Sequence, residues 1–130
     1  MIAFDTSALV KLIVDEAESD ALARWLAARP DIGWTASELC VVEVTRAVVR
    51  ADPSTRESAR ALLDGIDLVP MSRSLLDRAA ALRPPELRSL DAVHLAAALG
   101  LGPDVEVFVS YDHRQVDAAH AAGLATVSPT

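Results

Sequence analysis

Apolar and polar positions along this chain alternate between two rhythms, short runs suited to strands and longer stretches with helical spacing. Ile2 to Phe4 is apolar, and with Met1 it predicts a first strand over residues 1–4. A helix over Thr6–Val14 follows, with Thr6 or Ser7 as its cap. Leu22, Trp25 and Leu26 recur at helical spacing and predict a helix over 18–28, ended by Pro30. Ile32–Thr35 reads as a second strand, and Ser37 as the cap of a long helix, ELCVVEVTRAVVR. Pro53 suits the first turn of another helix, which runs to Leu63 and stops at Gly65.

The second half repeats the rhythm. Ile66–Val69 predicts a third strand and Ser74–Leu82 a helix. Pro84-Pro85 then breaks the chain before SLDAVHLAAALGL, a helix closed by Gly100 and Gly102. VEVFVS, rich in β-formers, is the clearest strand. A helix over 113–122, Gly123 as its stop and a strand near 125–127 complete the chain. Five strands separated by helices imply an α/β fold, a mainly parallel sheet covered on both faces. With 130 residues and no linker or repeat, one domain spanning 1–130 is expected.

Composition narrows the class. At 52% hydrophobic and 24% charged residues the chain can bury a core. No apolar stretch reaches the roughly 18 residues of a membrane helix, and no basic leader precedes the first strand, so a cytoplasmic protein without membrane contact is expected. Cys40 has no second cysteine to pair with and reads as a packing residue. A net charge of −7 argues against a broad basic surface for nucleic acid, though it leaves room for a nuclease whose acids hold metal.

Four acids stand where the pattern expects apolar or buried positions. Asp5 ends the first strand and Asp112 follows VEVFVS, both at carboxyl ends of parallel strands, the edge where such sheets bind ligands. Glu43 interrupts the apolar run Val41-Val42-Glu43-Val44, and Asp91 begins the LDAVHLAAA helix. Each has a plainer reading. Asp91 suits a helix N-terminus, Glu43 can pair with Arg46 or Arg50 along its helix, and Asp112 can cap the helix after it. Asp5 is harder to explain in this way, because Thr6 or Ser7 can cap the first helix without it. Two carboxylates about 5 Å apart, at an effective dielectric near 20, repel by roughly 3 kcal/mol. A convergent set of oxygen ligands therefore favours Mg²⁺ or Mn²⁺, and a water activated beside a bound phosphate is phosphodiester hydrolysis chemistry.

The segments FDTSALVKL, SELCVVEVTRA, LDAVHLAAAL and VFVSYDHRQVDAAHAAGLATVSP, in this order, resemble PIN-domain ribonucleases of the VapC toxin type across almost the whole chain. The resemblance implies a PIN-like fold and a Mg²⁺-dependent endoribonuclease, Mn²⁺ substituting, held inactive by a cognate VapB-type antitoxin and forming a homodimer. It implies catalytic roles for Asp5, Glu43, Asp91 and Asp112, with the metal on Asp5, Asp91 and Asp112 and Glu43 at a second ion or the attacking water. It also places Thr6, Ser7 and Ser110 around the substrate. Arg114, which follows Asp112 at the rim, is a further candidate for phosphate contact. Asp117 is an alternative to Asp112 as the last acid, though a solvated helix face suits it better. His94 shares a face with Asp91, and a packed or hydrogen-bonded imidazole is its expected state. Trp25 and Trp34 read as core or partner-contact residues.

Two acid-pocket phosphohydrolase-like classes fit less well. A haloacid-dehalogenase-type phosphatase wants a second acid two residues after the first, where Ser7 stands, and a phospho-receiver wants a late lysine, whereas Lys11 is the only lysine. A non-catalytic module whose acids cap helices or bind metal structurally is the remaining alternative. For partners, the apolar excess of Leu22, Trp25, Leu26, Val41, Val48 and Val49 is expected to supply a binding face.

Overall fold

The computed structural model describes residues 1–130. Five strands, β1 (Ile2–Phe4), β2 (Trp34–Ser37), β3 (Asp67–Val69), β4 (Val107–Val109) and β5 (Thr126–Val127), form one sheet in the order β3-β2-β1-β4-β5. All four pairings are parallel, as crossover through helices requires. The helices are α1 (Thr6–Val10), α2 (Ser19–Ala27), α3 (Leu39–Ala51), α4 (Arg56–Asp64), α5 (Arg73–Ala80), α6 (Ser89–Gly100) and α7 (His113–Ala121).

Strand alternation sorts the core into two sides. Ile2, Phe4 and Val109 point to one side, where they meet Leu9, Leu22, Val44, Val48 and Leu63 from α1 to α4. Ala3 and Phe108 point to the other and meet Leu95, Ala98 and Ala118 of α6 and α7. Leu75 and Ala79 of α5 pack against the small residues Ala92, Ala96 and Ala97 of α6. Helix α6 is thus buried almost all round, and its run of alanines lets neighbours approach from two directions.

Several boundaries differ from the pattern-based expectation. Strand β2 lies two residues later than Ile32–Thr35, because its ladder to β1 pairs Ile2 with Trp34 and Phe4 with Ala36, and its ladder to β3 takes in Ser37. Two flanking strands supply hydrogen bonds that outweigh the weak β-propensity of Ala36 and Ser37. Ser37 is therefore a strand residue, although its Oγ still accepts the Leu39 N–H at 3.1 Å. Helix α1 is a short one that ends at Val10, with the chain to Val14 held in turns. Asp52 caps a single 3-10 turn, Pro53–Thr55, before α4 begins. Strand β4 is shorter than VEVFVS. Cys40 is fully buried, as expected of a packing residue.

The apolar binding face is also revised. Leu22, Leu26 and Val48 are core residues, whereas Val41, Val42 and Leu90 are exposed at 43%, 56% and 50%. Trp34 packs on Phe4 with ring centroids 5.0 Å apart, and Trp25 lies under the Arg29 guanidinium. No helix is long and apolar enough to cross a membrane.

Candidate active site

The strand order reverses between β1 and β4, and the crevice at their carboxyl ends is where open parallel sheets bind ligands. Asp5 occupies it. The residue is 3% exposed, and its two oxygens face different partners. Oδ1 accepts the Ser7 hydroxyl at 2.7 Å and the Ala8 N–H at 3.0 Å, and Oδ2 accepts the Ser110 hydroxyl at 2.6 Å. Asp5, not Thr6 or Ser7, is thus the cap of α1. Burial pushes its pKa up, and the bonds from Ser110, Ser7 and Ala8 only partly offset that push.

Backbone amides orient the two serines. Ser7 Oγ accepts the Tyr111 N–H at 3.0 Å and Ser110 Oγ accepts the Asp112 N–H at 3.1 Å. An amide can only donate, which leaves each hydroxyl proton for an acceptor: Ser7 donates to Asp5, and for Ser110 the Asp5 Oδ2 at 2.6 Å is much nearer than Gln115 Oε1 at 3.4 Å. Ser7 and Ser110 therefore tie the loop after β4 to the loop after β1 and fix the Asp5 carboxylate between them.

On one flank, Glu43 of α3 meets His94 of α6 and Thr6 of α1. Thr6 Oγ1 donates to Glu43 Oε1 at 2.7 Å, and His94 Nε2 lies 2.5 Å from the same oxygen. The His94 side chain is 2% exposed, and its Nδ1 sits 3.8 Å from Cys40 Sγ. Burial works against a charged imidazole, but the contacts with Cys40 and Glu43 prevail and its pKa is pushed up to about 10. Glu43 is lowered in return, chiefly by His94. The plainer reading, a pairing of Glu43 with Arg46 or Arg50, is not what the fold makes, since neither arginine forms an ion pair and His94 stands there instead.

On the other flank, Asp91 and Asp112 share Arg88. Its Nε donates to Asp91 Oδ2 at 3.0 Å and its Nη2 to Asp112 Oδ2 at 3.1 Å. The second Asp112 oxygen, Oδ1, caps α7 by accepting the N–H groups of Arg114 and Gln115 at 2.9 and 3.3 Å. Buried Gln115 holds α7 to the start of α6 by donating to the Asp91 carbonyl at 3.0 Å. The two flanks sense each other, since the charge of His94 lowers the pKa of Asp5 and that of Arg88 lowers the pKa of Glu43.

The four acids named from sequence therefore gather at one edge, joined through His94, Arg88, Ser7 and Ser110. Asp112 rather than Asp117 reaches this network, and Asp117 lies exposed farther along α7 in a hollow with Pro84, Glu86 and Leu87. Arg114 lines an open depression with Arg88, Tyr111 and Asp112. No three His, Cys, Asp or Glu side chains are drawn together tightly enough to surround an ion. The donor chemistry nevertheless fits a hard cation: Asp91 and Asp112 offer carboxylate oxygens to a common point, and a positive group, the Arg88 guanidinium, already sits there. Sequence reasoning missed Arg88, although it lies three residues before Asp91, the spacing of neighbours on a helix face.

A family model described as the PIN domain matches residues 2–121. The chain is 43% identical over 132 residues to Ribonuclease VapC47 of Mycobacterium tuberculosis (strain CDC 1551 / Oshkosh), covering 99% of this chain and 97% of that one. It is 44% identical over 127 residues to Ribonuclease VapC46 of Mycobacterium tuberculosis (strain ATCC 25618 / H37Rv), covering 97% and 95%. The crystal structure of Mycobacterium tuberculosis VapC20, described as a Sarcin-Ricin loop cleaving toxin, superposes with a TM-score of 0.76 at 19% identity over 99% of this chain and all of that one, a likeness of fold. Full-length similarity at this level, on a sheet whose carboxyl edge carries the four acids, makes the chain a member of the PIN-domain family, within its VapC branch.

Proposed function

We propose that this protein is a divalent-metal-dependent endoribonuclease toxin that hydrolyses RNA phosphodiester bonds in the cytoplasm. Mg²⁺ is the expected ion and Mn²⁺ a substitute. The observation that carries the reading is the bridge Asp91–Arg88–Asp112 beside buried Asp5 at the switch point, a set of carboxylates already organised around a positive charge. The names of the full-length relatives point to the same activity.

Asp5, Asp91 and Asp112 would hold the metal, which when bound polarises a phosphate oxygen and activates a water. Arg88 must release the two aspartates for that to happen, and its exposed side chain is then free to turn toward a substrate phosphate. Ser7 and Ser110 keep the Asp5 carboxylate aimed. Thr6 and His94 keep Glu43 ionised and positioned to orient the water or a second ion. Arg114, at the rim of the Asp112 depression, is suited to a phosphate.

Exposed Val41, Val42 and Leu90 are the apolar surface we assign to a VapB-type antitoxin; Val42 and Leu90 line the cleft beside Glu43, so an antitoxin seated there would block substrate entry, and a second copy of this chain is the other expected partner. Transfer RNA is the first substrate class to test, and the Sarcin-Ricin loop, which VapC20 cleaves, the second.

Purified protein should cut RNA with Mg²⁺ or Mn²⁺, stop in EDTA and leave 5′ phosphates; 2′,3′-cyclic phosphate ends would instead mark attack by the ribose hydroxyl without metal. A non-catalytic module is the second reading, favoured by the helix-capping bonds of Asp5 and Asp112. Absence of metal-stimulated cleavage on total RNA would decide for it.

A further inference from the structure

The acid edge opens sideways into a cleft of about 870 Å³ between α3 and α4. Thr6, Glu43 and Thr45 form part of its wall beside Val42 and Leu90, and Arg46, Arg50 and Arg56 line the rest of its polar surface. Arg46 and Arg50 follow Glu43 by three and seven residues on α3, so the three side chains lie along one helix face. Arg56 opens α4 across the cleft.

All three guanidiniums are exposed, and none has a carboxylate within 4.0 Å. Only Arg60, Arg73 and Arg88 of the eleven arginines have such a partner, and three of the eight that lack one converge on this single cleft. Arg56 also stands in the first turn of α4, where the helix dipole disfavours positive charge. Glu43, the one acid on the cleft wall, is itself hydrogen-bonded to Thr6 and His94.

We infer that Arg46, Arg50 and Arg56 form a phosphate track that leads a single RNA strand into the acid edge from the Glu43 side. The inference rests on the ribonuclease reading and adds where the strand lies. The cleft wall carries no aromatic side chain on which bases can stack, so the track grips the backbone and is blind to sequence. Selectivity for a target must come from elsewhere on the surface.

Salt dependence tests this directly, since each phosphate contact on a single strand contributes about 0.7 to the slope of log K against log salt. Binding of a labelled uridine-rich oligonucleotide and of an adenine-rich one is measured in EDTA, which stops cleavage, from 50 to 200 mM KCl. The triple variant Arg46→Gln/Arg50→Gln/Arg56→Gln should lose about 2 from the slope for both oligonucleotides, so that its affinity falls about 20-fold less than that of wild type across this range. The triple Arg→Lys variant should keep the slope. In Mg²⁺ the Gln variant should raise KM and leave kcat near wild type. Arg24→Gln, an exposed residue on α2, changes net charge away from the cleft and serves as the single-charge control.

A Gln variant that melts like wild type and has a slope no lower than that of Arg24→Gln overturns the track. So does a variant that changes oligomeric mass, or binding to an acidic partner protein, while holding RNA normally. Wild type that cleaves RNA alongside either result leaves the ribonuclease reading standing, whereas wild type that neither binds nor cleaves RNA overturns both.

Discussion

The two flanks of the acid edge neutralise their carboxylates in opposite ways. Glu43 is matched by His94, which is buried, held by Thr6 and Cys40 on neighbouring elements, and unable to leave without unpacking α6. Asp91 and Asp112 are matched by Arg88, whose side chain is 67% exposed and tethered only by the two ion pairs. An exposed ion pair contributes about 0–1 kcal/mol, whereas removing one partner of a buried pair costs several. The first flank is thus part of the folded core, and the second is held by an exposed arginine that can turn away without unpacking any helix.

Removing the acid between the flanks should have the largest effect. Asp5→Asn should lower RNA cleavage by at least about 1000-fold, read in a discontinuous assay with saturating Mg²⁺. Its stability should move the other way. Burial raises the Asp5 pKa, so ionising it costs the folded chain more than the unfolded one, and that cost at neutral pH is relieved as pH falls through the folded pKa. In EDTA at pH 7 the variant should therefore melt no lower than wild type. Metal should narrow or reverse that order, because binding to the folded state alone adds about 2.7 kcal/mol at 100 times Kd, and wild type gains more of it. A variant strongly destabilised in EDTA, with no metal-dependent rise in the wild-type Tm, would make Asp5 a structural acceptor.

The fixed flank comes next. His94→Gln should cost about 2 kcal/mol near pH 6, the scale of a hydrogen bond to a charged group, measured by denaturant unfolding. The sign with pH follows from the shifts. The folded pKa of His94 lies near 10 against an ordinary 6.5, so its contribution is complete below 6.5 and fades as pH rises through about 10. Glu43 is lowered, so its share is present above 4.5 and lost in acid. The gap between wild type and variant should therefore be widest from about pH 5 to 6.5 and close toward pH 10. A gap that stays constant to pH 10 would mean that the imidazole acts by packing alone.

The exchangeable flank should respond least in stability and most visibly in metal binding. Arg88→Gln should leave the unfolding free energy close to that of wild type, given its exposure. Mn²⁺ should nevertheless bind the variant several-fold more tightly, by calorimetry or electron paramagnetic resonance, because no guanidinium competes for Asp91 and Asp112. Equal or weaker Mn²⁺ binding would show that Arg88 shapes the pocket instead of occupying it.

The alternation of apolar runs with helical repeats specifies five strands, parallel pairing and the carboxyl-edge positions of Asp5 and Asp112, because burial of one helix face or both strand faces leaves its period in the residues themselves. Glu43 and Asp91 stand out in the chain as acids on apolar helices, but that they lie beside Asp5 is decided by packing. The shift of β2 to Trp34–Ser37 is not legible in the chain, since a ladder is made with strands far along the chain and no neighbouring residue reports its register. Nor is the choice of Asp5 over Thr6 or Ser7 as the α1 cap, because all three have a side-chain oxygen and only the position of Ser110 and Tyr111 makes the two hydroxyls donors to Asp5. The counter-charges separate most clearly. Glu43 finds its partner 51 residues away and Asp112 finds Arg88 at a distance of 24, so the arginines adjacent in sequence to Glu43 are left free. Local sequence carries the period of burial, whereas the partner of a charge depends on which helices pack together, and that is settled only when the two sides of the sheet close over it.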